Sequence, residues 1–130
     1  MEGWDRSCYY DELDLLWVLP SPNIPTIAST VVYNGTCIFE GTNISEGRGT
    51  TTPFEIVGAP FINGLQLAQT LNTLPLEGVF FREVYFTPTF SKHAKEACQG
   101  VYVHVTNRKL FKPVKTGWAM LDVIRSLYPN

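Results

Sequence analysis

The sequence is poor in the residues that most quickly reveal a function. Its three cysteines, Cys8, Cys37 and Cys98, are odd in number and widely spaced. That is no disulfide framework, and without a CxxC pair a zinc ribbon or finger is excluded. They read as small hydrophobes, and no metal or cofactor is implied. Lysine and arginine total 10 against 12 acidic residues, never in a run, for a net charge of −2 and a pI of about 5.6. No basic excess exists to neutralise phosphates, so no nucleic-acid partner is expected. Histidine occurs twice, at His93 and His104, and His104 reads as a hydrogen-bonded surface residue. There is no G-x-S-x-G nucleophile elbow. No apolar run approaches the roughly 18 residues of a membrane span, so no membrane partner is expected. The opening MEGWDRSCYYDELD has neither the basic nor the apolar region of a secretory signal.

What is present suits one folded domain. The chain has 130 residues, 45% hydrophobic and 17% charged, enough to bury roughly two-thirds of its unfolded surface. Residues 1–14 are polar and aromatic without clear period, a poorly defined N-terminal segment. LLWVLPSPNIPT, closed by Pro20, Pro22 and Pro25, reads as an extended stretch. Thr26 is placed to cap a helix over residues 27–33, and Asn34-Gly35 to stop it. TCIFE and PFEIVGAP read as strands. Leu67, Leu71 and Leu74, with Ile62 and Leu65 beside them, predict a helix over 64–72. Residues 79–86 are β-rich and stop before Pro88. Glu83, Tyr85 and Thr87 share a face of that strand and could line a cleft, where Tyr85 would stack on a sugar ring, but core packing is the favoured reading of Tyr85. SKHAKEACQG is a polar connection with room for one helical turn. VYVHVTN alternates cleanly, Val101, Val103 and Val105 on one face. Val114, Trp118, Leu121, Ile124 and Tyr128 predict an amphipathic helix from Pro113. The order implies an α+β (irregular α/β) fold, a small mixed sheet covered by two helices.

The stretch FEGTNISEGRGTTT, residues 39–52, holds three glycines, four threonines, two glutamates and one arginine. It lacks the lysine of a phosphate-binding loop. Glu46 and Arg48 share a face if extended, and the flanking Gly47 and Gly49 permit close approach by a ligand or another backbone. Two readings stay open. Glu40, Asn43, Glu46, Arg48 and Thr50 supply donors and acceptors suited to a polyhydroxylated ligand such as a sugar. Alternatively, Glu46 and Arg48 pin an irregular loop.

The segments WVLPSPNIPT, YNGTCIFEGTNISEGRGTTTPFEIVGAP, FTPTFSKHAKEACQGVYVHV and FKPVKTG resemble the NamZ-type exo-β-N-acetylmuramidase family, long known as a bacterial domain of unknown function. The resemblance runs almost unbroken from about Leu15 to Tyr128. It implies a glycoside hydrolase that releases terminal N-acetylmuramic acid from cell-wall peptidoglycan fragments, periplasmic or secreted. It implies two domains, a Rossmann-like first and a smaller second, with the cleft between them and the catalytic glutamate in the first. On that footing residues 15–130 are a partial second domain lacking its N-terminal Rossmann-like partner: a fragment or truncated member, inactive alone. It would contribute the cleft loop 40–52 with Glu40, Asn43, Glu46, Arg48 and Thr50 as substrate contacts. Glu46 is the candidate for a second catalytic carboxyl, and Arg48 for pairing with the lactyl carboxylate of muramic acid. The alternatives are a non-catalytic glycan-binding or scaffold module, and a decayed frame with no function of its own. Leu16, Trp17, Val18 and Leu19, with Phe80, Phe81 and Phe86, are the expected exposed apolar surface, giving self-association.

Overall fold

Thr26 does what its position before an apolar stretch predicts. Its hydroxyl accepts from the Ser29 amide at 3.0 Å and opens the helix α1, Ile27–Thr36. The coordinates are a computed structural model and describe residues 5–129. After α1 the chain tightens into a 3-10 turn, Cys37–Gly41, and later forms strand β1 (Ile56–Ala59), helix α2 (Gly64–Asn72), strands β2 (Val79–Phe86) and β3 (Cys98–Val105), and helix α3 (Pro113–Leu127). The bounds of α2 and β2 match the sequence expectation. Asn63 caps α2 by accepting from the Gln66 amide at 2.9 Å. No described helix is long and apolar enough to cross a membrane.

The class is α+β, as expected, but the sheet is antiparallel throughout rather than mixed, in the order β1-β3-β2. Helix α2 packs on β2 and β3, while α1 packs on α3. The core between them includes Phe39, Phe54, Phe81, Leu67, Leu71 and Met120, all fully buried. β2 is an edge strand. Part of its open edge is closed by Asn72, whose carboxamide donates to the Phe81 carbonyl at 2.7 Å and accepts from the Phe81 amide at 3.0 Å.

Several expectations are corrected. Asn34-Gly35 does not stop α1, which continues to Thr36. Gly35 is there for contact: a Cβ on it would lie 2.1 Å from the Pro113 carbonyl oxygen, and one on Gly117 would lie 2.3 Å from that of Gly35. Two helix backbones touch where side chains are absent. TCIFE is no strand; its residues end α1 and form the 3-10 turn, which carries Phe39 into the core. The buried face of α3 is Thr116, Gly117, Met120 and Ile124, whereas Val114 and Trp118 are more than half exposed. The Gly35–Gly117 contact sets that face, and a periodicity of large apolar residues gives a glycine no weight. The connection before β3 holds no helix; Ser91, His93 and Lys95 take left-handed conformations in tight turns. Tyr85 is exposed at 65% and Phe81 is buried, the reverse of their expected places; Phe81 pairs with Val103 near the middle of the sheet.

The N-terminal segment is better tied than its composition suggested. Residues 1–4 lie outside the described residues. Tyr10–Glu12 forms a 3-10 turn. Arg108 grips both carboxylate oxygens of Asp11 at 2.7 and 2.6 Å, and the Tyr9 hydroxyl donates to the Arg108 carbonyl. Leu16, Val18 and Leu19 of the proline segment are exposed, as expected; so is Phe80. Cys8, Cys37 and Cys98 are free thiols.

Candidate functional site

Loop 40–54 runs from the end of the 3-10 turn to just before β1, and it is built around a buried carboxylate. Glu46 is 1% exposed. One of its oxygens accepts from Arg48 at 2.9 Å and the other from Lys92 Nζ at 2.9 Å. The same ammonium donates to the carbonyls of Phe39 (2.6 Å) and Ile44 (3.0 Å), so Lys92 closes the loop on itself. Burial works to raise the Glu46 pKa. The bonds from Lys92, its own backbone and Arg48 outweigh that and hold the group below its ordinary value of 4.5.

Arg48 lies over the Phe54 ring, 5.0 Å from its centroid, and its fork is filled by two carboxylates, Glu46 and Glu40. Burial opposes its charge, but the bonds to Glu40 and Glu46 prevail and raise its pKa. The two glycines flanking it have φ of +81° and +82°. A Cβ on Gly49 would meet the backbone of Phe90 at 2.5 Å, so what approaches there is the connection after β2, a part of the protein itself. Gly49 is held by Thr89, whose amide and hydroxyl both donate to its carbonyl at 2.9 Å.

The five residues singled out from sequence therefore differ in what they have to offer. Glu46 has no unused oxygen. Thr50 donates to the Gly47 carbonyl at 2.6 Å. Glu40 and Arg48 bind each other at the loop rim, with side chains about one-third exposed. Asn43 is exposed; its carbonyl accepts from His93 Nε2 at 2.6 Å, while its side-chain amide makes no hydrogen bond among the described residues. Lys92 and His93 were missed. They sit about fifty residues away in a polar connection, and no local pattern marks them as the clamp of an upstream loop.

A second polar group joins α1 to β3. Glu55, buried, accepts from Ser29 Oγ (2.8 Å), Thr26 Oγ1 (3.2 Å) and the Tyr102 hydroxyl (2.5 Å). Burial and then the bond to Glu55 push the Tyr102 pKa up to about 12, so Tyr102 stays a donor. His104 stacks on Tyr102 and accepts from Arg82 Nε at 3.3 Å; burial and the Arg82 charge hold its pKa down. Every polar atom of the Glu55 carboxylate is bonded internally, which makes it a structural tie.

A cavity of about 230 Å³ adjoins the loop. Thr42, Asn43 and Ile44 form one wall and Phe61, Leu121, Ile124, Arg125 and Tyr128 the rest.

The chain is 55% identical over all 130 of its residues to a Bacillus subtilis (strain 168) protein named peptidoglycan β-N-acetylmuramidase NamZ, covering 31% of that protein. It superposes on a crystal structure of a DUF1343-family protein from Bacteroides fragilis with a TM-score of 0.90 and 32% identity, covering 98% of this chain and 33% of the other. A second DUF1343-family protein from that organism matches at a TM-score of 0.52 and 28% identity, over 86% of this chain and 28% of its own. The chain thus spans about a third of the length of these relatives. The family described as exo-β-N-acetylmuramidase NamZ, C-terminal, matches residues 31–130, and the chain belongs to that family.

Proposed function

We propose that this chain serves as the C-terminal part of a peptidoglycan glycoside hydrolase that releases N-acetylmuramic acid from cell-wall glycan fragments, and that it binds and orients the saccharide. The observation that carries this reading is the 55% identity along the whole chain to a protein of that name. The geometry supports a positioning share. A general acid needs a raised pKa and a nucleophile needs access. Glu46 has neither: it is buried, held ionised and covered by two cations. Its role is to fix the shape of loop 40–54, with Lys92 and Arg48. The principal catalytic carboxyl then comes from the Rossmann-like first domain, and the loop turns Asn43 and the free oxygen of Glu40 toward the sugar.

A chimera tests this directly. The chain replaces the corresponding third of the Bacillus subtilis relative. The chimera is expected to release N-acetylmuramic acid from a muramic-acid-terminated disaccharide, while the 130-residue chain alone does not. A folded chimera without turnover that still binds the disaccharide would favour the second reading, a non-catalytic glycan-binding module. The exposed Leu16, Val18, Leu19 and Phe80 are the surface we assign to the first domain. Alone, the chain is expected to self-associate through them. A monodisperse monomer at high concentration that binds no hydrophobic dye counts against that assignment.

A further inference from the structure

One arginine lies within loop 40–54 and another at the cavity beside it, and their circumstances are opposite. Arg48 is saturated by Glu46 and Glu40. Arg125, exposed in the last turn of α3, forms no ion pair among the described residues. It lies at the cavity beside loop 40–54 together with the uncommitted carboxamide of Asn43. The remaining lining is apolar and fixed. Phe61 and Tyr128 meet edge to face at 5.9 Å, and the Tyr128 hydroxyl accepts from the Asn63 amide at 2.9 Å. Ile44 and Ile124 are buried behind them. Thr42 also lines the cavity, but its hydroxyl donates to the Phe39 carbonyl and accepts from the Ile44 amide.

That leaves an aromatic and aliphatic wall, one free guanidinium and one free carboxamide around about 230 Å³. A purely apolar ligand would leave both polar groups unused. A neutral polyol would leave the charge unused. An anionic sugar uses all three features: the less polar face of the ring against Phe61 and Tyr128, a carboxylate on the planar fork, a hydroxyl or acetamido group on the carboxamide. The volume suits one substituted sugar ring and not a chain of them.

We infer that this cavity is a subsite for a carboxylate-bearing amino sugar, with Arg125 as the partner of the carboxylate and Asn43 as the reader of a neighbouring polar substituent. The inference rests on the function proposed above in identifying that sugar as N-acetylmuramic acid. It moves recognition of the lactyl carboxylate from Arg48, where the sequence pointed, to a residue 77 positions later, the difference between 125 and 48.

The test is titration of the 130-residue chain with free N-acetylmuramic acid and free N-acetylglucosamine, followed by methyl and arginine side-chain NMR. The second sugar lacks the lactyl carboxylate. N-acetylmuramic acid is expected to bind more tightly and to shift the Ile44, Leu121 and Ile124 methyls and the Arg125 side chain. Arg125→Gln is expected to lose roughly tenfold in affinity for it and to bring the two sugars level. Arg125→Lys keeps the charge and is expected to recover part of the preference. Arg48→Gln loosens the loop and is expected to weaken both sugars alike, leaving the ratio of their affinities in place. Overturning results are shifts confined to other residues, a preference that survives Arg125→Gln, and no binding of either sugar at tens of millimolar. The chimera's turnover is measured separately, so an active chimera combined with any of these would dismiss the subsite and keep the proposed function.

Discussion

Loop 40–54 and the cavity at the end of α3 share the residues 42–44, yet they spend charge in opposite ways. In the loop, two cations face two carboxylates: Lys92 and Arg48 with Glu46 and Glu40. The central anion is out of water and both of its oxygens are taken. At the cavity a single cation, Arg125, borders apolar side chains without a carboxylate partner among the described residues. Internally compensated charge fixes a shape. Uncompensated charge beside an apolar wall is available to a ligand. The difference teaches that the most polar and glycine-rich stretch of a sequence can be satisfied within itself, while an arginine with no carboxylate partner among the described residues stands on a plain amphipathic helix.

The contrast breaks most visibly if the clamp is removed. Lys92→Met leaves Glu46 buried with Arg48 as its sole cation, takes the ammonium from the Ile44 carbonyl, and removes one of three donors from the Phe39 carbonyl, which keeps the Thr42 amide and hydroxyl. Removing one partner of a buried pair costs several kcal/mol, and because Arg48 remains the expected loss is about 3 kcal/mol. For a chain of this size that lowers Tm by roughly 10 °C in a calorimetric scan. Adding Glu46→Gln removes the stranded charge and should restore part of the loss. A double variant as unstable as the sum of the singles would show that the ammonium acts only through the two carbonyls.

Acid provides a gentler break in the same place. The folded-state pKa of Glu46 lies below its ordinary value of 4.5. A carboxyl shifted that way contributes stability that is fully present above the unfolded value and is lost as pH falls through the folded one. Stability should therefore decline below about pH 4.5, and Glu46→Gln should flatten that limb of the curve relative to the native chain. Denaturant titrations at pH 6, 4.5 and 3 measure it; parallel declines in the two proteins would remove Glu46 from the account.

Much of the fold was legible because it is locally encoded. Thr26 caps as its position predicts, and the limits of α2 and β2 follow from leucine spacing and the β-rich run before Pro88. The misreadings came where a distant partner decides. Gly35 looks like a helix stop until Pro113 and Gly117 are brought against it. Trp118 looks like a core residue until that same contact turns α3 away. Within the site, the pairing of Glu46 with Arg48 was readable from their spacing of two, one of the two readings left open. Lys92 was not, since it reaches the loop from a polar connection about fifty residues away whose own pattern gives no sign of it.

The smallest effect on stability is also the one that separates the two regions most sharply. Arg48→Gln and Arg125→Gln remove the same charge, one from within loop 40–54 and one from the cavity beside it. Arg48 holds a buried oxygen of Glu46 from a partly exposed position, so its loss should cost about 1–2 kcal/mol. Arg125 makes no ion pair among the described residues, and what it gives the fold is a favourable charge at a helix C-terminus, about 0.3–0.5 kcal/mol at most. Chemical denaturation of both variants should therefore show a clear shift for the first and almost none for the second. Sugar preference should follow the opposite order: retained in Arg48→Gln below its lowered transition, lost in Arg125→Gln with an unchanged melting curve. An Arg125 variant as destabilised as the Arg48 variant would mean that the helix end is itself a structural clamp, and the distinction between a committed and an available arginine would fall.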